Sequence, residues 1–150
     1  MTDARDRLIV ALDVSSASAA HKIVTTLGEC VQTYKVGTRL FTAEGPQIVR
    51  DLVHSGRKVF LDLKYHDIPN TVGAAVREAA SLKVSMLTVH ASGGGRMLRS
   101  AVEAARNSRQ LTVLAVTVLT SLDDADLEKM GVRGRAVDRS EEHTSELQSR

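Results

Sequence analysis

Ten consecutive residues, Asp62, Leu63, Lys64, Tyr65, His66, Asp67, Ile68, Pro69, Asn70 and Thr71, hold the densest concentration of groups able to move charge and protons. They continue an apolar run that starts near Lys58, so Asp62 and Lys64 fall at the end of a strand. Two residues apart on a strand, they point to the same face. Asp67 follows in the loop, Lys35 ends an earlier apolar run and Asp13 ends the first. Buried charges persist only when they are paired and hydrogen-bonded, and an alternating Lys–Asp–Lys–Asp chain at one mouth satisfies that condition. An ammonium held there can stabilise developing negative charge and then protonate it. For any single residue the alternative is an ion-pair belt that only ties strands together. Four charges at the ends of three adjacent strands are costly packing unless they are used.

The other candidate groups read more plainly. His66 and His90 lie near strand ends, but neither shows a ligand spacing such as HxxxH or HxH, so packing and supporting hydrogen bonds are expected and no metal. His21 and His54 fall within helical repeats, as surface groups. Gly93, Gly94 and Gly95 could cradle a phosphate at a helix N-terminus, yet read better as a tight turn. The single cysteine, Cys30, cannot form an intramolecular disulfide and is expected as a small buried filler. No GxGxxG and no P-loop occurs, so no cofactor is expected.

These groups need a frame to hold them. Residues 8–12 form a continuous apolar run of the kind buried on both faces of a parallel sheet. The serines within 15–18 can cap a helix that Gly28 ends. A strand over 33–36 closes at Gly37, a helix follows over 46–54, and a third strand covers 58–63. Pro69 and Asn70 lead a helix to about residue 82, then come a strand over 85–89, a helix over 96–106 and a strand over 111–119. A short helix over 123–130, capped by Ser121 or Asp123, ends at Gly131. Strand and helix thus alternate five times, which predicts an all-parallel α/β fold, either doubly wound or a (β/α)8 barrel. Polar residues recur where the strands end, at Asp13, Lys35, Asp62, Lys64, His90 and Thr120, and that favours the barrel.

Bulk properties add limits. The 150 residues carry 43% apolar and 25% charged side chains and a net charge of +2, so nothing in the balance demands nucleic acid. The N-terminus lacks the apolar core of a signal peptide and no apolar run approaches a membrane span, so a cytoplasmic protein is expected with no membrane partner. From Asp138 the apolar rhythm stops. Residues 1–137 read as one incomplete barrel domain, and 138–150 as a non-native or disordered tail resembling a translated sequencing adapter, which leaves His143 out of any metal site.

The segment DLKYHDIPNT over 62–71 is similar to the signature of orotidine 5′-phosphate decarboxylases. Leu12-Asp13, Tyr34-Lys35-Val36-Gly37, Val89-His90-Ala91-Ser92-Gly93-Gly94 and Val116-Thr117-Val118-Leu119-Thr120-Ser121 resemble the bacterial branch in the same order. The resemblance covers about 8–132. It implies a TIM barrel of the ribulose-phosphate-binding type, truncated after about five β/α units, because a whole barrel takes about 250 residues. The phosphate-gripping loops of the family follow its last strands, so this chain by itself is expected to be inactive or nearly so. The resemblance further implies conversion of orotidine 5′-phosphate to UMP and CO2, without a cofactor, in a homodimer with shared active sites. Lys64 would donate the proton to C6, and Asp62 would sit beside the departing carboxylate. Lys35 would hold Asp62 and, with Asp13, contact the ribose. Asp67 and Thr71 would reach the partner subunit's ligand, Thr120 would bond the base with Ser121 nearby, and Ile68 would form an apolar wall. Leu63, Tyr65, His66, Pro69 and Asn70 belong to the same substrate-binding segment.

Two other readings compete. A Mg2+-dependent sugar-phosphate decarboxylase or aldolase of the same superfamily would want an acidic metal ligand after the second strand, and Glu44 is the nearest. A flavodoxin-like, non-enzymatic domain would fit the length, but it would pair acids at the first strand, where Asp13 stands alone.

Overall fold

Apolar runs separated by helical repeats should pair as buried parallel strands, and they do. The computed structural model describes residues 7–108, 110–136 and 146–147. Its elements are β1 (Ile9–Ala11), α1 (Ala17–Leu27), β2 (Thr33–Gly37), α2 (Thr38–Glu44), α3 (Gln47–His54) and β3 (Lys58–Tyr65). They continue with α4 (Pro69–Ser81), β4 (Met86–His90), α5 (Gly94–Ala105), β5 (Thr112–Val116), α6 (Asp124–Lys129) and β6 (Glu146–Leu147). Strands β1 to β5 are parallel and lie side by side in chain order. A doubly wound sheet reverses its order at a switch point. Here each strand adds beside the last, and right-handed crossovers then stack the helices on one face, as in a β/α barrel.

Local chemistry sets the boundaries. Ser16 caps α1 by accepting the Ala19 N–H at 3.3 Å, and Gly28 ends it with φ 50°. Pro69 opens α4 at a position where its missing N–H is no loss. Asp123 and Asp126 form a reciprocal capping box on α6. Leu40, Ile48, Leu52, Val72, Val76 and Met97 from the helices pack on Val36, Leu61, Leu87 and Val89 of the sheet, all essentially without solvent contact. Each such side chain stabilises the fold by roughly 1.5–3 kcal/mol of transfer free energy.

Several expectations need correction. α2 was not foreseen, because its entry at Gly37 has no side-chain cap to announce it. β1 is not buried on both faces: Leu8 and Ile9 are 49% and 42% exposed, since β1 is an edge strand of the described sheet. Cys30 is exposed, because it ends a 3-10 turn over Gly28–Cys30 instead of packing between helix and strand. Of the three glycines, Gly93 closes a 3-10 turn over Ala91–Gly93, while Gly94 and Gly95 already belong to α5. β5 ends at Val116, and 117–122 is a loop. Within the tail from Asp138, Glu146–Leu147 pairs antiparallel with β5; the rest, His143 included, lies outside the described residues, as do 1–6. Among the described residues no helix is long and apolar enough to cross a membrane.

Candidate active site

β2 and β3 lie in register with Gly37 beside Asp62, which brings Lys35 and Asp62 to the same end of the sheet. Lys35 Nζ donates to Asp62 Oδ2 at 3.2 Å, and Lys64 Nζ donates to Asp62 Oδ1 at 2.8 Å. From β4, the Thr88 hydroxyl donates to the same Oδ1 at 2.9 Å. Asp62 is buried, whereas the two lysines stay about a third exposed, at 32% and 35% of their side chains. Burial alone would raise the Asp62 pKa, but the hydrogen bonds from Lys64, Thr88 and Lys35 outweigh it and hold the carboxyl below its ordinary value. Two ammoniums sharing one carboxylate leave an excess positive charge facing the mouth, which suits an anionic ligand.

Asp62 and Lys64 meet as expected, but not by regular strand alternation. Lys64 has φ 51°, in the left-handed region, and the β3–β4 register shifts between Leu61 and Tyr65. The Lys64 N–H finds the Thr88 Oγ1 at 2.9 Å. Left-handed non-glycine residues persist only where surroundings enforce them, and they cluster at functional sites. Thr88 was missed from the sequence; its signal was a lone hydroxyl in a run otherwise buried and apolar.

The expected four-membered chain has three members here. Asp13 lines the same recess of about 160 Å³ as Lys35, Asp62 and Lys64, but its side chain is 81% exposed. It faces Arg39, whose Nη1 lies 4.0 Å from Oδ1 and donates to the Asp13 carbonyl at 3.4 Å. Asp67 is exposed and its Oδ1 accepts the Ile68 N–H at 2.6 Å, apart from the trio. Ile68 is 66% exposed, and Asn70 and Thr71 stand exposed in the first turn of α4. Pro69 offers its carbonyl to the Ser100 hydroxyl at 2.8 Å. Leu63 and Tyr65 are half-buried against the core, and burial raises the Tyr65 pKa.

The His66 and His90 rings stack at a tilt of 42° with centroids 5.2 Å apart. Burial, then His66, then Lys64 lower the His90 pKa. Both rings border a cavity of about 420 Å³ whose walls include Thr117, Leu119 and Leu122. Thr120 is exposed in the turn beyond β5, and Thr117 is among the residues lining the cavity. Glu44 spends its carboxylate at the start of α1, accepting the Ala17 N–H at 2.8 Å. Among the described residues no three His, Cys, Asp or Glu side chains converge as metal ligands.

The model of the orotidine 5′-phosphate decarboxylase / HUMPS family matches residues 6–149. The chain belongs to this family. An orotidine 5′-phosphate decarboxylase of Nitrosospira multiformis is 47% identical over 132 residues, 88% of this chain and 55% of that protein. One of Halorhodospira halophila is 52% identical over 129 residues, covering 85% and 55%. The crystal structure of the Lactobacillus acidophilus orotidine 5′-phosphate decarboxylase superposes with a TM-score of 0.79 at 36% identity, over 88% of this chain and 62% of that one. The chain therefore spans about 55% of the length of the curated relatives it matches. Shared family membership fits the sequential parallel order of β1 to β5 and excludes the flavodoxin-like alternative.

Proposed function

We propose that the protein to which this chain belongs decarboxylates orotidine 5′-phosphate to UMP in de novo pyrimidine biosynthesis. The observation that carries the reading is the Lys35–Asp62–Lys64 trio at the ends of β2 and β3. The bond from C6 to the carboxylate breaks, CO2 leaves, and the electron pair stays on C6. Lys64 Nζ gives that carbon its proton and regains one from solvent. A fixed ammonium stabilises charge as it forms without reorganising, which is how such a site can work with no electron sink. Asp62 stands beside the departing carboxylate, and Lys35 keeps Asp62 in place. Lys35 and Asp13 would bind the ribose, Thr120 the base, and Ile68 would wall the pocket.

Asp67 and Thr71, exposed and free of the trio, are read as reaching a neighbouring subunit's ligand in a homodimer. The Mg2+-dependent reading is the alternative; its nearest acidic group, Glu44, has Oε1 at the start of α1, where it accepts the Ala17 N–H. The test is a fusion of this chain to the C-terminal part of the Halorhodospira halophila relative. Loss of orotidine 5′-phosphate absorbance should persist in EDTA, and Lys64→Ala should lower kcat by roughly 10²–10⁴-fold, the usual range for a general acid. Decarboxylation that survives Lys64→Ala, or that EDTA abolishes, would overturn the assignment.

A further inference from the structure

We propose that Thr88 is a positioning residue whose single hydroxyl holds both the Asp62 carboxylate and the Lys64 backbone in their working arrangement. The inference rests on the reading of Asp62 and Lys64 as the reacting charges, but its first test does not. Between Leu61 and Tyr65, β3 advances four residues while β4 advances two, from Leu87 to Val89. The segment from Asp62 to Lys64 is thus bulged, and Lys64 takes φ 51°. A bulge strips backbone groups of their ladder partners, and an unpaired N–H in a buried setting is strongly disfavoured. Thr88, 4% exposed, supplies the replacement from the neighbouring strand: its Oγ1 accepts the Lys64 N–H at 2.9 Å.

A hydroxyl has one hydrogen, and Thr88 directs it to Asp62 Oδ1 at 2.9 Å. Oδ1 then faces Thr88 and Lys64 Nζ, which leaves Oδ2 for Lys35. The Thr88 side chain is branched at Cβ and has few rotamers, so the hydroxyl is fixed before any ligand arrives. Backbone strain at Lys64 and carboxylate orientation at Asp62 are therefore fastened by one atom.

Valine has the same shape as threonine without the donor or the acceptor. In the 150-residue chain, Thr88→Val should speed hydrogen exchange at the Lys64 amide and raise the pH at which the Asp62 carboxyl titrates by NMR. Thr88→Ser should restore both. Should Thr88→Val not fold, Thr88→Ala removes the hydroxyl together with the methyl group, and Thr88→Ser, which keeps only the hydroxyl, is the control that assigns the change. In the fusion enzyme, Thr88→Val should lower kcat about ten- to hundredfold, the worth of a lost bond to a charged group, with KM changed far less. Unchanged Lys64 exchange and an unchanged Asp62 titration in Thr88→Val would overturn the role and make Thr88 a core filler. If both respond while the fusion shows no decarboxylation, the positioning role stands and the decarboxylase reading falls.

Discussion

At the scale of residues, Asp62 is the group on which the site turns, because it is buried and yet charged. Its carboxyl is held below the ordinary value near 3.8, burial opposing and the bonds from Lys64, Thr88 and Lys35 prevailing. The unfolded chain, lacking those bonds, takes up the proton first as pH falls. The stability that the charged form contributes is therefore whole above that ordinary value and is lost as pH drops through the folded pKa. Urea denaturation of the wild type and Asp62→Asn should differ by about 1.5–3 kcal/mol near about pH 6, with the gap narrowing as pH falls below the ordinary carboxyl value and through the folded pKa. A gap that does not change with pH would show that Asp62 is not held as an anion. The sequence revealed Lys35, Asp62 and Lys64 because charges at strand ends are conspicuous. It could not reveal that Asp13 turns to Arg39, or that Asp67 bonds its own neighbour, since both depend on loop geometry. Thr88 escaped because one hydroxyl in a strand is ordinary until its partners are known.

At the scale of elements, boundaries were legible where a side chain announces them, as at Ser16, Pro69 and Asp123, and hidden where none does, as at α2. The bulge in β3 was hidden too, because the stretch Leu61-Asp62-Leu63-Lys64-Tyr65 alternates like any strand. Contacts between helices leave a different trace. α4 and α5 approach closely at Gly73, where an added Cβ would lie 2.5 Å from the Ser100 Oγ. That hydroxyl is bonded to the Pro69 carbonyl, so the contact also fixes the start of α4, just after the loop from His66 to Ile68. Alanine in a helix is intrinsically better than glycine by about 1 kcal/mol. Gly73→Ala should nevertheless destabilise the wild type by about 1–2 kcal/mol, because Ser100 must rotate and drop its bond. In a Ser100→Ala background the same substitution should be neutral or stabilising by up to about 1 kcal/mol. Thermal denaturation of the four variants decides it, and equal effects in both backgrounds would locate the strain elsewhere.

At the scale of the whole molecule, periodicity yielded the number of β/α units and their parallel sense, while the strand order came from the polar residues at strand ends and the family signature, which pointed to a barrel. Periodicity is the same for a doubly wound sheet and a barrel; spatial neighbours tell them apart, and the order β1-β2-β3-β4-β5 has no reversal. A barrel has no edges, because its first and last strands pair. β1 is an edge strand of the described sheet, with Leu8 and Ile9 half exposed beside it. If β1 is a barrel seam, those residues acquire neighbours once the remaining length of the Halorhodospira halophila relative is fused to the chain. Ile9→Asn then separates the cases. In the 150-residue chain it should cost no more than about 0.5 kcal/mol, as surface substitutions do. In the fusion it should cost about 2 kcal/mol or more, because an amide would enter an apolar seam without a partner. The Ala11 amide should slow its hydrogen exchange in parallel: Leu12 donates to the Lys35 carbonyl of β2, so by strand alternation Ala11 faces the open side, where β1 would gain a second strand. An equal cost in both proteins, with Ala11 exchange unchanged, would mean that β1 stays an edge and that the sheet does not close there.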